Sequence, residues 1–336
     1  MHKQISRRDF LKIVAMVGGA GAFLKLGVDR FNAPVVVKES RFLMGTVVNL
    51  TLVGGNKEHS QKAIFRVMDR MKKLETVFSR FIPESQVSRL NATGSLDDPA
   101  PALVDLLGQS RTISQLTNGA FDVTVKPLID LYQKYLNSEG ELPDEQEIKN
   151  YLPLINYERM HVAPSKIRLE HGEMGITLDG IAKGYIVDRA VDLLREFGFE
   201  NVLVEAGGDL VASGANGNHL PWQIGIQSPR LETESLIAKI EVSNKAVATS
   251  GDYMQSFSPD KLQHHIIDPR KGHSSPYLAS ATVIAPSCLQ ADALATALMV
   301  MDIRQGTALI KELHNVDAYL VTKELEVIST IETKKE

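Results

Sequence analysis

Asp292 and Thr296 are the residues whose types and spacing speak first of chemistry. They lie four apart in Ala291-Asp292-Ala293-Leu294-Ala295-Thr296-Ala297-Leu298, so on a helix both project from one face among small apolar neighbours and can share one ligand. A carboxylate and a neutral hydroxyl are hard oxygen donors, a set that suits magnesium held jointly with phosphate better than it suits zinc. Taken alone, the pair also fits a carboxylate near a helix start and a threonine packed in a core. Gly180-Ile181-Ala182-Lys183-Gly184 is expected to open a helix, where free amides and the Lys183 ammonium would receive a phosphate. A surface lysine in a glycine turn has the same letters. His264-His265-Ile266-Ile267-Asp268-Pro269 reads as a short strand entering the turn Arg270-Lys271-Gly272. An imidazole beside a carboxylate at a strand end can move a proton, and adjacent strand residues face opposite ways, so one histidine at most lines a site. His265 is preferred over His264, while Asp268 before Pro equally serves to start the turn. Residues 205–209 and 249–253 read as strands ending in tight turns.

These groups need elements to hold them. Val48, Leu50 and Leu52 alternate with Val47, Asn49 and Thr51, which predicts an early strand that passes at Gly54-Gly55 into a helix with Ile64, Val67, Met68, Met71 and Leu74 on one face. Leu103, Leu106, Leu107 and Ile113 predict a second helix; Ile186, Ala190, Leu193, Leu194 and Phe197 predict a third, each with one apolar face. Strands are expected at 201–205, 236–242, 279–284 and 318–321, with Leu236, Ala238, Ile240 and Val242 sharing a face of the second of these. Strands and helices mix without strict βαβ alternation, which predicts an α+β fold with a mixed, largely antiparallel sheet. No linker, repeat or composition shift divides the chain after about residue 35, so one domain over 35–336 is expected.

Composition removes several function classes. The chain is 43% hydrophobic and 23% charged with a formal net charge of -4, an ordinary globular balance that offers no electrostatic footprint for nucleic acid. The single cysteine, Cys288, excludes an intrachain disulfide or a Cys-clustered metal site and reads as a small buried thiol. No Gly-x-Gly-x-x-Gly follows a strand, and there is neither a Walker loop nor a Gly-x-Ser-x-Gly elbow. At the N-terminus, Ser6-Arg7-Arg8-Asp9-Phe10-Leu11-Lys12 precedes an apolar stretch of about 12 residues, short of the roughly 20 that span a bilayer. Residues 1–34 thus resemble a twin-arginine export signal, and the expected location is the periplasm, with membrane attachment if the signal stays uncleaved.

Taken together and in order, the polar blocks resemble the ApbE family, the FAD:protein FMN transferases. The resemblance spans residues 40–325 and rests on Met44-Gly45-Thr46, Phe78-Ser79 through Ser88-Arg89-Leu90-Asn91, Gly119-Ala120-Phe121-Asp122-Val123-Thr124 with Pro127-Leu128, Gly180 to Tyr185 with Asp188, Gly207-Gly208-Asp209, Thr249-Ser250-Gly251-Asp252-Tyr253, His265-Ile266-Ile267-Asp268-Pro269, and Ala291 to Ala297. It implies a compact domain related to the T-fold type and an FAD site touching Met44, Phe81, Ala120, Phe121 and Asp122, with Lys183 and the Ile266-Ile267 strand nearby. It also implies magnesium on the Gly180 carbonyl, the Asp292 carboxylate and the Thr296 hydroxyl, with phosphate oxygens completing the shell. Thr177 stands where the family usually has Asp, and Asp179 where Gly is usual, so either Asp179 supplies a displaced carboxylate or Thr177 makes the contact. Phe81 replaces a frequent Tyr and Gln86 a frequent acid. The reaction implied is attack of an acceptor threonine hydroxyl on the FMN-side phosphorus of FAD with AMP leaving, His265 as the candidate base and Asp268 as its orienting group. Hydrolysis of FAD to FMN and AMP and an exported flavin-binding protein are the competing expectations, the second opposed by the intact Gly180, Asp292 and Thr296. Family members modify subunits of RNF-type and sodium-pumping quinone reductase complexes, so a membrane electron-transfer subunit is the expected acceptor.

Overall fold

Alternation builds the first hairpin: β1 (Val36–Leu43) turns back through Met44-Gly45 into β2 (Thr46–Val53), whose Val48, Leu50 and Leu52 are buried. Both turn residues have positive φ, 54° and 70°, the twist that two-residue hairpins require. The computed structural model describes residues 34–138, 142–230 and 236–331; apart from Pro34, the twin-arginine segment lies outside them. Gly54 and Gly55, also at positive φ, end β2, and Asn56 caps α1 (Lys57–Phe78) by accepting from the His59 amide. The expected stripe from Ile64 to Leu74 is its buried face.

Next come α2 (Gln86–Thr93), β3 (Ser95–Asp97), α3 (Pro101–Leu116), a 3-10 turn at Val123–Val125, α4 (Lys126–Ser138), α5 (Glu145–Tyr151), β4 (Met160–Ala163) and β5 (Lys166–Leu169). The rest is α6 (Ala182–Glu196), β6 (Asn201–Ala206), β7 (Asp209–Ser213), β8 (Trp222–Gln227), β9 (Leu236–Val242), β10 (Lys245–Gly251), β11 (Leu278–Ala285), α7 (Cys288–Val300), α8 (Ile303–Glu312), β12 (Asp317–Thr322) and β13 (Val327–Ser329).

An eight-stranded sheet runs β1-β2-β6-β7-β10-β11-β12-β13 and is antiparallel at every pairing, so the expected α+β class holds. Helices α1, α6 and α7 cover one face, where Val67, Met71, Ile186, Leu294 and Leu298 join Leu50, Val204, Ala248 and Val283 in the main core. The β8-β9 hairpin covers part of the other, packing Trp222, Ile226, Ile240 and Val242 against Leu210, Ala212, Val247 and Ile284. Cover on both sides explains why β7 and β11 are buried at every position and carry no alternation. The strand expected at 236–242 is β9, but Leu236 at its start is exposed where Ile240 and Val242 are buried.

One end of the sheet gathers the chemistry. Gly207-Gly208, the β6-β7 turn, packs on the β1-β2 turn, with the Gly207 amide on the Val47 carbonyl at 3.2 Å. Asp209 begins β7 beside them, and Thr249 near the end of β10 brings its amide 3.4 Å from Asp209 Oδ1.

Candidate active site

Helix α7 is apolar on nearly every side and buried along most of its length, which makes its Asp292, 4% exposed, the anomaly. A carboxylate in such surroundings needs a partner or loses its charge. The Gly184 amide in the first turn of α6 donates to Oδ2 at 3.0 Å, and an ion pair between Lys183 and Asp209 stands close enough to act on it. Burial and then the Asp209 charge push the Asp292 pKa up to about 7, against the pull of Lys183 and the Gly184 amide. Burial pulls the Lys183 pKa down, but Asp209 and Asp292 more than offset it, so the ammonium stays charged. Two carboxylates face one ammonium, so Asp292 would hold its charge in full only if a cation joined them.

Thr296, one turn further along α7, has Oγ1 3.2 Å from Ser250 Oγ on β10. Gly180 closes on it from the loop before α6: a Cβ at residue 180 would lie 2.7 Å from Thr296 Oγ1. Of the three residues expected to bind magnesium, Gly180 thus comes against Thr296 only because it has no side chain, and Asp292 stands one turn earlier on the same helix with its carboxylate on Gly184, four residues after Gly180. Among the described residues no cluster of three or more His, Cys, Asp or Glu side chains gathers, so a cation here relies on hydroxyl, backbone and substrate oxygens as well as Asp292. Hard oxygens and a missing positive charge fit magnesium.

The second part of the site is the connection between β10 and β11. Asp252, wholly buried, accepts from both Arg230 Nη atoms at 2.7 and 3.0 Å and from Lys323 Nζ at 2.8 Å, and Lys323 Nζ also donates to the Lys261 carbonyl at 2.8 Å. Lys323 therefore ties the start of this connection to its middle. His265 is half-buried, with Nδ1 3.1 Å from the Gln255 carbonyl. A carbonyl only accepts, so Nδ1 carries the proton and Nε2 keeps its lone pair. Burial lowers the His265 pKa; the Gln255 carbonyl and Asp179 oppose it, and Arg80 and Lys183 add to it, so the ring shares the electrostatic neighbourhood of Lys183. His264 is fully buried with its pKa lowered to about 4, chiefly by burial, and is an interior group.

Two expectations change here. The segment 264–268 forms no strand, only the isolated bridges Ser256 with His264 and Ile267 with Ser274. The Ser274 hydroxyl replaces a strand neighbour, accepting from the His264 amide at 2.9 Å and donating to its carbonyl at 2.7 Å. Asp268 does not orient His265. Its Oδ1 accepts from the Arg270 amide at 3.0 Å and Nε at 2.8 Å, and its Oδ2 from Nη2 at 3.0 Å, which leaves the orienting role to the Gln255 carbonyl.

The residues expected to touch the flavin nucleotide divide into surface and interior. Met44 occupies the strained first turn position at φ 54°, and Phe81 is 72% exposed with the Arg80 guanidinium 4.2 Å above its ring. Arg80 Nε also holds Asp179 at 2.8 Å, so the carboxylate that departs from the family pattern serves as an anchor for that arginine. Thr177 is buried and accepts the Asp179 amide at 3.2 Å, while Gln86 accepts the Ala100 amide at 2.8 Å. Ala120 and Phe121 lie in the main core, and Ile267 in a smaller cluster with Leu128, Tyr132 and Ile148. Asp122 fastens its own turn, taking the Thr124 amide and hydroxyl on Oδ1 and the Tyr157 amide on Oδ2; burial raises its pKa and these bonds hold it back. A cleft of about 270 Å³ bounded by Gly119, Asp122, Asn156, Tyr157, Pro269 and Arg270 joins this block to the turn after Asp268. Asp209 and Ser250 stood in the sequence blocks 207–209 and 249–253 without a role, and Gln255 stood outside them.

Known proteins resemble this chain along most of its length. The family model described as the ApbE family matches residues 44–320. The FAD:protein FMN transferase of Vibrio cholerae is 31% identical over 286 residues, covering 83% of this chain and 85% of that protein. That of Escherichia coli K12 is 27% identical and covers 93% of each. Among solved structures, the ApbE protein of Thermotoga maritima superposes with a TM-score of 0.80 at 30% identity, over 88% of this chain and 97% of that one. The flavin transferase ApbE of Vibrio cholerae gives 0.75 at 28% identity over the same shares. With its matched region running from the Met44 turn to the penultimate strand of the sheet, the chain belongs to the ApbE family.

Proposed function

We propose that this protein transfers the FMN part of FAD to a hydroxyl side chain of an acceptor protein and releases AMP. The observation that carries the reading is the convergence at one sheet end of a neutral imidazole with Nε2 bare, a charged lysine and a buried oxygen-donor set short of one positive charge. The acceptor threonine or serine oxygen forms a bond to the FMN-side phosphorus, the bond from that phosphorus to the oxygen of AMP breaks, and the hydroxyl proton passes to His265 Nε2. Gln255 holds the imidazole in the tautomer that can accept. Lys183, fixed by Asp209, offers charge to the pyrophosphate. Gly180, Asp292 and Thr296 would hold magnesium, which when bound offsets negative charge on the phosphate oxygens.

The N-terminal Ser6-Arg7-Arg8-Asp9-Phe10-Leu11-Lys12 supports export by the twin-arginine route to the periplasm, with electron-transfer subunits facing that compartment as acceptors. The test is mass spectrometry of a candidate acceptor domain after incubation with the protein, FAD and magnesium. A mass gain equal to FMN that disappears with a chelator and in Asp292→Ala supports transfer at this site. Free FMN and AMP with an unlabelled acceptor would instead make the protein a hydrolase.

A further inference from the structure

The two helices that meet at Gly184 are tied by a reciprocal pair of contacts, of which only the Asp292 half enters the transfer chemistry. From α6, the Gly184 amide donates to Asp292 Oδ2 of α7 at 3.0 Å. From α7, the Cys288 and Leu289 amides donate to Asp188 Oδ1 and Oδ2 of α6 at 2.8 and 2.9 Å. Asp188 follows Gly184 by one helical turn and Asp292 follows Cys288 by the same interval, so each helix presents a carboxylate to the opening amides of the other. The first amides of a helix have no partner inside it. In α7, Cys288 and Leu289 go to Asp188, Gln290 to Ser287 Oγ at 3.2 Å, and Ala291 to the Ser287 carbonyl at 3.1 Å. The backbones touch, since a Cβ on Gly184 would lie 2.3 Å from the Cys288 carbonyl oxygen. Neither helix can slide along the other without breaking this clasp.

We infer that Asp188 is a positioning residue for the cation site: by gripping the first turn of α7 from α6, its carboxylate fixes Asp292 and Thr296 against Gly180, which lies just ahead of α6. The inference rests on the reading of Gly180, Asp292 and Thr296 as cation ligands. Ser287 supplies the control, because it caps the same helix end from within its own segment.

The test titrates Mn2+ into the FAD-saturated protein without acceptor, followed by electron paramagnetic resonance, in the wild type, Asp188→Ala, Asp188→Asn, Ser287→Ala and Asp292→Ala, with circular dichroism to verify folding. Asp188→Ala is expected to raise the Mn2+ Kd about tenfold or more, as for other groups that orient metal ligands. Asp188→Asn, which keeps one acceptor oxygen, falls between that variant and the wild type, and decides the matter if Asp188→Ala does not fold. Ser287→Ala lowers the thermal midpoint yet stays within about twofold of the wild-type Kd, because a lost cap weakens the helix end without releasing the clasp. Wild-type affinity in the Asp188 variants, or an equal loss in Ser287→Ala, overturns the inference and leaves Asp188 as a helix cap. If Asp292→Ala binds Mn2+ as the wild type does, the cation reading itself fails, and the inference with it.

Discussion

At the scale of single residues, the two adjacent histidines show how environment divides one chemistry into two roles. His265 is half-buried, and burial lowers its pKa below the ordinary 6.5 despite the Gln255 carbonyl and Asp179. The ring is therefore neutral near pH 7 and able to accept a proton; its own protonation is expected to slow transfer as pH drops through a value below 6.5. His265→Gln is expected to remove that acidic limb and to slow transfer about 10²- to 10⁴-fold with FAD affinity retained, measured as a pH-rate profile of acceptor labelling. His264 bears on stability instead. Its pKa is about 4 folded against 6.5 unfolded, so between those values the unfolded chain binds more protons and stability rises with pH. The contribution is complete above 6.5 and lost as pH falls towards 4, about 3 kcal/mol at most. Urea titrations at pH 7 and 4.5 are expected to show the wild type losing most of that amount relative to His264→Gln; a pH-independent difference would contradict the assignment.

At the scale of elements, the contact between α6 and α7 decides whether the ligand set exists. A methyl group at residue 184 would overlap the Cys288 backbone, which cannot rotate away as a side chain could. Gly184→Ala is expected to cost about 2 to 3 kcal/mol in chemical denaturation and to reduce FMN transfer sharply, because parting the helices moves Asp292 off the Gly184 amide. Helix α6 was legible from sequence, since Ile186, Ala190 and Leu194 keep a helical stripe that the core demands, and a helix at α7 is what brings Asp292 and Thr296 onto one face. Their meeting was not, because a glycine carries no sign of what touches it. The short strand expected around Ile266 failed for a related reason: its neighbour is the Ser274 hydroxyl, ten residues on from His264, and no periodicity reports that.

At the scale of the whole molecule, the proposed export segment and the folded domain raise separate questions. Replacing Arg7 and Arg8 by Lys is expected to keep the protein in the cytoplasm while FMN transfer in vitro is unchanged, checked by cell fractionation and acceptor labelling; periplasmic recovery of that variant would refute twin-arginine export. Sequence by itself determined the α+β class, the family, the early strand with the helix that follows it, and the block that carries each proposed ligand, because hydrophobic period, turn glycines and local motif order are properties of short stretches of chain. Tertiary structure alone decided which polar groups face which. It gave Asp268 to Arg270, His265 to Gln255, Asp179 to Arg80 and Asp188 to the start of α7. The hydrogen-bond partner of a buried or half-buried side chain, and hence its charge state, depends on which surfaces close around it, and that follows from the packing of the whole core.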